Sequence, residues 1–275
     1  MIKKMPMSKH ETLTQEEFAN YVPDKKIPAF LEAYRKKNHL KKEEMNILDW
    51  GCGRGADTLW LRDKGYNAYG VDIDSRPINN GMGLFQAKGY DEWTLRQLSP
   101  EGKTDFPDDF FHVVISNQVF EHVSDIEAVA EETKRITRDG GTGYHIFPAS
   151  KRMIEGHLFM PFIHWLPKNK WRKLLIAACV RLHIEPHWPE LNNSSPEEKI
   201  DTYYQYSINC TFYRKPSDLK KIFRQAGLNV KFETINNPRL TNHKIFGPLL
   251  HYGWLRSMVN FMLLSFFHVE LRLEK

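Results

Sequence analysis

Residues 47–55 read Ile-Leu-Asp-Trp-Gly-Cys-Gly-Arg-Gly, and this stretch decides the fold. The apolar pair Ile47 and Leu48 predicts the end of a buried strand, with Asp49 at its carboxyl end. The three glycines that follow predict a turn almost without side chains. In such a turn a ligand can lie against the backbone N–H groups that open the next helix. These glycines are Gly51, Gly53 and Gly55.

A second strand is predicted at residues 67–72, Asn-Ala-Tyr-Gly-Val-Asp, and it ends in the carboxylate of Asp72. A carboxylate in this place can accept both hydroxyls of a ribose, which indicates a nucleoside cofactor. The dinucleotide fingerprint has the pattern Gly-x-Gly-x-x-Gly, whereas this chain has Gly-x-Gly-x-Gly. Asp49 would repel a pyrophosphate, but it suits a ligand with a positive end. The pattern therefore favours a cationic nucleoside over a nicotinamide dinucleotide.

With an acid before Gly-x-Gly-x-Gly and Asp72 at the end of the second strand, the chain resembles the class I S-adenosylmethionine-dependent methyltransferases over about residues 45–148. The resemblance implies S-adenosylmethionine as cofactor and S-adenosylhomocysteine as product. Many relatives have an acid on the third strand that holds adenine, but residues 96–100 contain none, so we expect adenine at Leu98 and Ser99. The expected cofactor-binding residues are Asp49, Gly51, Cys52, Gly53, Gly55, Asp72, Ile73, Leu98, Ser99, Asn117 and Gln118.

Strands and helices alternate along the chain, which predicts an α/β fold. The family implies a Rossmann-like, mostly parallel sheet of seven strands with helices on both faces, plus a helical cap insertion. We expect N-terminal helices in residues 1–44, with one or two over 14–38. The cofactor-binding half occupies 45–148, the cap that meets the substrate 149–211, and the C-terminal part of the sheet 212–275. The last segment should hold a helical stretch at 246–267 and a final strand at 268–274.

Composition narrows the function class. The chain has 275 residues and a net charge of +5, from 39 basic and 34 acidic residues, so nucleic acid is not an expected partner. Three cysteines, an odd number with one in the glycine turn, argue against a disulfide framework. The N-terminal residues lack the apolar core of a signal peptide. We expect a cytoplasmic protein, with peripheral membrane contact and oligomeric state left open.

The catalytic candidates are histidines. An O or N acceptor of a methyl group must lose a proton, and histidine is the usual base near neutral pH. His122 follows a strong buried strand at 111–116, and His157 lies in the cap. We expect these two to be catalytic toward a small-molecule acceptor that can be phosphate- or lipid-linked. His183 and His187 suggest a metal pair, but Pro186 prevents a shared helical face, and no metal is expected.

The cap is basic and aromatic between residues 151 and 181, with Glu155 as its single acid. An apolar face is predicted at Trp171, Leu174, Leu175, Ala178 and Leu182. Such a helix can lie on an anionic membrane, bind a phosphate-bearing substrate, or pack on the sheet with a solvated basic face. The alternative functions are therefore a membrane-surface methyltransferase that acts on a lipid or quinone, and a non-catalytic interaction protein that keeps the cofactor fold.

Overall fold

The computed structural model describes residues 16, 20–236, 238–244 and 246–275. Within these residues one sheet of seven strands has the order β3-β2-β1-β4-β5-β7-β6. The strands are β1 Asn46–Trp50, β2 Asn67–Asp72, β3 Leu95–Gln97, β4 Phe111–Asn117, β5 Thr137–Pro148, β6 Asn229–Phe232 and β7 His268–Glu274. Strands β1 to β5 pair in parallel, whereas β7 runs antiparallel to both β5 and β6. The predicted Rossmann-like fold is confirmed.

Helices connect the strands. They are α1 Lys26–Lys37, α2 Ala56–Asp63, α3 Ser75–Ala87, α4 Ile126–Ile136, α5 Lys170–Arg181, α6 Pro196–Asn209, α7 Pro216–Gln225, α8 Pro238–Thr241, α9 Phe246–Leu249 and α10 Gly253–Phe266. The sheet buries side chains on both faces, which is why β4 is mostly apolar and is buried at all but its last residue, including His112 and Ser116. None of the described helices is both long and apolar enough to cross a membrane.

Several element boundaries differ from the sequence predictions. The sequence also predicts a third strand at 93–98, but β3 is shorter, because Glu92–Thr94 form a 3-10 turn that begins at Asp91. Strand β5 starts directly after α4, so Gly140 and Gly141 lie inside the strand. The helix predicted at 246–267 is split between α9 and α10. Helix α1 occupies the second half of the predicted helical segment, and residues 14, 15 and 17–19 lie outside the described residues.

The region between β5 and α7 forms a cap with its own apolar cluster. Helices α5 and α6 contact each other, and the 3-10 turn Ile163–Trp165 packs on α5. This cluster is separate from the two large clusters on either side of the sheet. Its buried members are Leu158, Met160, Ile163, Ile176, Ala177, Cys179, Val180, Ile200 and Tyr203. The cap is therefore a second packing unit on the sheet domain.

Candidate functional site

The glycine turn lies between β1 and α2, at the carboxyl end of the sheet. Gly51, Gly53 and Gly55 have φ angles of 75°, 54° and 81°, a region that side chains disfavour. A Cβ on Gly51 would lie 2.5 Å from a methyl carbon of Val119, so no side chain fits there. Around Gly53 a Cβ would meet nothing within 4 Å, which leaves space beside the loop backbone. The loop has the open, side-chain-free surface that a ligand needs.

Two carboxylates flank this turn. Asp49 is buried and accepts a hydrogen bond from Thr58 Oγ1 at 2.9 Å. Burial and the charge of Asp57 raise the pKa of Asp49 well above its usual range. Asp72 accepts from the backbone N–H groups of Gly53 and Asp74, both at 2.9 Å, and burial raises its pKa as well. A buried cluster of acids beside a bare backbone loop fits a cationic nucleoside such as S-adenosylmethionine.

The other expected cofactor residues fall near this turn, with different roles for their side chains. The Leu98 N–H donates to the carbonyl of Asp72 at 2.8 Å, and the side chain of Ile73 is exposed beside it. The Ser99 hydroxyl accepts from the Lys103 N–H at 3.1 Å, so it orders its own turn. A Cβ on Gly70 would lie 2.8 Å from Cys52 Sγ, which shows that this thiol lies against β2. The backbone of Cys52 is also bonded within the turn, since its N–H donates to the Val71 carbonyl at 3.0 Å and its carbonyl accepts from the Gly55 N–H at 2.8 Å. Its contact with the cofactor stays a prediction.

Asn117 and Gln118 continue from β4 toward the turn. Gln118 has a φ of 59°, and its N–H donates to the carbonyl of Ile146 at 2.8 Å. This left-handed residue turns the chain away from the sheet, so that Val119 packs on Gly51. The segment after β4 therefore touches the glycine turn directly.

Tyr21 is a neighbour of the site that the sequence did not indicate. Its hydroxyl hydrogen-bonds to Asp57 in the first turn of α2, and burial beside this carboxylate raises the pKa of Tyr21. In the sequence, Tyr21 lies within the stretch 14–38 that is predicted as helical, and nothing local relates it to the glycine turn. The contact places the N-terminal segment beside the glycine turn.

The two predicted catalytic histidines meet in the structure. His122 Nε2 lies 3.1 Å from His157 Nε2. On the other side of each ring, His122 Nδ1 donates to the carbonyl of Cys210 at 2.6 Å, and His157 Nδ1 donates to Glu155 at 2.9 Å. These assignments follow from the partners, because both are acceptors. If both rings were neutral, the lone pairs of the two Nε2 atoms would point at each other and repel. A proton on one Nε2 atom, donated to the other, removes this repulsion.

Glu155 organises the cap side of this pair. Its carboxylate accepts from Nδ1 and the backbone N–H of His157, from the Leu158 N–H, and from the Tyr213 hydroxyl. Burial alone would raise the pKa of Glu155, but the bonds and charge of His157 outweigh burial and lower it to about 2. Tyr213 was not indicated by the sequence, since it lies in a different segment and meets Glu155 only through the fold.

The charges assign the shared proton to His157. Burial lowers the pKa of His157, but the hydrogen bond and charge of Glu155 and the charge of Glu121 more than compensate, so its pKa is raised. Burial and the charge of His157 lower the pKa of His122 to about 4. Near neutral pH His122 is therefore uncharged, and His157 titrates above its ordinary value and donates to His122.

Glu121 completes the cluster from the sheet side. Neither of its carboxylate oxygens has a hydrogen-bond partner on another described residue, and burial raises its pKa to about 7. Glu121, His122 and His157 bring one ligand atom each to within 4.8 Å of one another, so this group could hold a divalent metal ion. The expectation of no metal stays a prediction.

The remaining histidines of the cap do not join the pair. His164 lies with its ring 4.7 Å from that of Tyr213, and burial lowers its pKa to about 4. Between His183 and His187, Glu185 forms an ion pair with Lys199 at 2.7 Å. The catalytic roles assigned to His122 and His157, like the cofactor contacts, stay predictions.

Comparison with known proteins identifies the family. The family described as "Methyltransferase domain" matches residues 16–231. A crystal structure of an S-adenosylmethionine-dependent methyltransferase from Mesorhizobium loti superposes with a TM-score of 0.50 at 14% identity, covering 90% of this chain and 98% of the other. PKMT2 from Rickettsia typhi, solved with S-adenosylhomocysteine, gives 0.53 at 15% identity, with 85% and 49% covered. At these identities the structures show the shared fold.

Curated relatives match a smaller share of the chain than these structures do. An ubiquinone biosynthesis O-methyltransferase from Rhizobium etli is 27% identical over 57% of this chain and 60% of its own length. An ajmaline N-methyltransferase from Rauvolfia serpentina is 28% identical over 37% of this chain and 35% of its own length. The matched part of the chain thus spans between about a third and three fifths of the length of these relatives. From the family match and the fold, the chain belongs to the class I S-adenosylmethionine-dependent methyltransferases.

Proposed function

We propose that this protein transfers a methyl group from S-adenosylmethionine to an O or N atom of a small-molecule acceptor, with His157 as the base. The observation that carries the proposal is the half-buried pair of His157 and His122 with the buried Glu155 behind it. His122 comes three residues after Val119, which packs on Gly51 of the glycine turn. The cofactor supplies an electrophilic methyl group on a sulfonium. The protein must then orient the acceptor, exclude water and remove one proton.

His157 suits the removal of that proton. When His157 has lost its own proton, Nε2 carries the ring's lone pair, because Glu155 holds the remaining proton on Nδ1. The O–H or N–H of the acceptor would then donate to Nε2 in place of the proton that His157 otherwise shares with His122. The proton from the acceptor's O–H or N–H passes to Nε2, and the resulting imidazolium is stabilised by Glu155 and by donation to His122. We therefore expect turnover to rise with pH through the raised pKa of His157, since only the uncharged ring can accept the proton.

The surroundings of His157 support an acceptor with a flat ring. The Tyr206 ring lies 6.0 Å from the His157 ring, and the Trp188 ring lies 5.2 Å from that of Tyr206. Aromatic side chains pack well against planar apolar molecules while leaving polar tips for orientation. The names of the curated relatives, an O- and an N-methyltransferase, support acceptor atoms of these two kinds.

The first experiment is calorimetric titration with S-adenosylmethionine and S-adenosylhomocysteine, with NAD as control. We expect binding of the first two only. Transfer of a labelled methyl group to a panel of phenols, catechols and cyclic amines then tests the acceptor class. Absence of cofactor binding would favour the non-catalytic interaction protein.

His157→Ala tests the base. It should lower turnover by about 10²–10⁴-fold while leaving S-adenosylhomocysteine affinity unchanged, because His157 lies on the acceptor side of the site. His183→Ala, an exposed histidine of the same cap, is the matched control and should keep full activity. Unchanged turnover in His157→Ala would remove the base role and leave the cofactor assignment intact.

A further inference from the structure

Helix α5 buries one face and exposes a second apolar face. Ile176, Ala177, Cys179 and Val180 point into the cap cluster, where α6 covers them. On the opposite side Trp171, Leu174 and Leu182 are 58%, 57% and 68% exposed, and Ala178 between them is exposed too. Four of the five residues of the predicted face thus lie on the outside, whereas Leu175 is half-buried against the cap cluster. The covered face of α5 packs within the cap, not on the sheet.

Positive charge borders one side of this outer stripe, where Lys170 and Arg181 lie, whereas Lys173 is directed toward α6. Lys170, Lys173 and Arg181 are exposed on the same helix, and residues 156–184 contain no Asp or Glu. The acid paired with one of them is Asp201 of α6, whose carboxylate lies 2.5 Å from Lys173. An exposed tryptophan and leucines beside basic side chains match a surface of apolar chains beneath anionic groups.

We propose that the outer stripe of α5, formed by Trp171, Leu174, Ala178 and Leu182 with its basic border, docks on an anionic lipid membrane. The apolar side chains enter the headgroup region, and the basic side chains of the border stay beside lipid phosphates. A second copy of this chain fits less well, because a two-fold contact through the stripe would bring the same basic residues together. At 12 residues, α5 lies on the membrane rather than across it.

The stripe lies on the outer side of the unit that carries His157. Leu158 and Met160, which follow His157 in the chain, belong to the same apolar cluster as the buried face of α5. Docking would therefore hold the acceptor side of the protein close to the lipid surface, where amphiphilic acceptors concentrate. Binding to vesicles needs neither cofactor nor acceptor, so this proposal can fail independently of the proposed function.

Co-sedimentation with vesicles tests the proposal. We expect the full chain to bind phosphatidylcholine vesicles that contain phosphatidylglycerol, to bind pure phosphatidylcholine weakly, and to be released by salt. The double substitution Trp171→Ser with Leu174→Ser should lower partitioning at least about tenfold. Lys170→Glu with Arg181→Glu should also lower it about tenfold or more, because each basic residue near an anionic surface contributes about fivefold.

Two controls match these variants. Trp93→Ser removes an exposed tryptophan from the far edge of the sheet, and Lys220→Glu with Lys221→Glu reverses two exposed charges on α7. Both should bind as the wild type does. Equal binding to neutral vesicles, or no binding at all, would overturn the proposal.

Two other results would also reject the α5 stripe. Helix α10 exposes Trp254, Met258, Phe261 and Met262, so loss of binding in Trp254→Ser with Phe261→Ser alone would move the docking surface there. A dimer in solution that Trp171→Ser with Leu174→Ser dissociates, without any vesicle binding, would make the stripe a protein interface. Unchanged melting temperatures show that each variant is folded.

Discussion

Replacing Glu155 by glutamine should move the proton equilibrium of His157. In the wild type, Glu155 supplies the charge-assisted bond to Nδ1 that offsets the burial of the ring. A neutral amide keeps the size of the side chain but cannot stabilise the imidazolium. A hydrogen bond to a charged group contributes about 1.5–3 kcal/mol. At about 1.4 kcal/mol per unit, the pKa of His157 should fall by roughly 1–2 units.

The same change should lower stability in a defined pH range. The folded-state pKa of Glu155 is about 2, below its ordinary 4.5, so its contribution is present above pH 4.5 and lost toward pH 2. The pKa of His157 is raised, so its contribution is complete below 6.5 and lost as pH rises through the folded value. The loss in Glu155→Gln, roughly 1–3 kcal/mol, should therefore be greatest between about pH 4.5 and 6.5.

An NMR titration of the imidazole resonances measures this prediction without any acceptor. Assignment uses the spectrum of His157→Ala, and chemical denaturation at several pH values gives the stability profile. Glu185→Gln is the matched control, because it breaks a cap ion pair with Lys199 that does not involve His157. The reasoning is refuted if the pKa of His157 is unchanged in Glu155→Gln, or if the control lowers it equally.

Three other changes probe the rest of the site. Asp72→Asn should weaken S-adenosylhomocysteine binding by about 1.5–3 kcal/mol in calorimetry, through a lost bond to the ribose, whereas Asp74→Asn should not; equal affinities would remove Asp72 from the ribose site. Gly51→Ala should lower the free energy of unfolding by about 1–3 kcal/mol and cofactor affinity at least tenfold, because a positive φ and a clash with Val119 act together. Gly53→Ala has the unfavourable φ but no clash, so both losses should be smaller. The wild type should lose stability as pH rises from 4.5 through the raised pKa of Glu121, about 7, because the buried carboxyl must then lose its proton. Relative to the wild type, Glu121→Gln should therefore gain roughly 1–3 kcal/mol of stability between about pH 5 and 8. A stability difference that does not change with pH would contradict this.

The sequence predicts the strands and the glycine turn of residues 45–148 well, because their backbone geometry depends on local sequence patterns. Local sequence is enough to identify glycines that adopt a positive φ. It is also enough to identify the apolar runs that fill a parallel sheet. The cluster around His157 can be predicted from the sequence only in part. His157 and Glu155 are close in the chain, but Tyr213 reaches them from a distant segment. For α5 the pattern gives an apolar face, but which face the cap covers depends on how α6 packs.

The division of the protein into two packing units has a consequence for how the family can diversify. Glu121 and His122 follow a strand of the sheet, whereas Glu155 and His157 lead into the cap cluster. On the proposed function, substitutions within the cap should change the choice of acceptor without disturbing the residues expected to hold the cofactor. The 3.1 Å distance between His122 Nε2 and His157 Nε2 therefore depends on the position of the cap relative to the sheet. A replacement of Ile176, which is buried in the cap cluster, should therefore shift His157 relative to His122 although Ile176 belongs to neither ring's contacts.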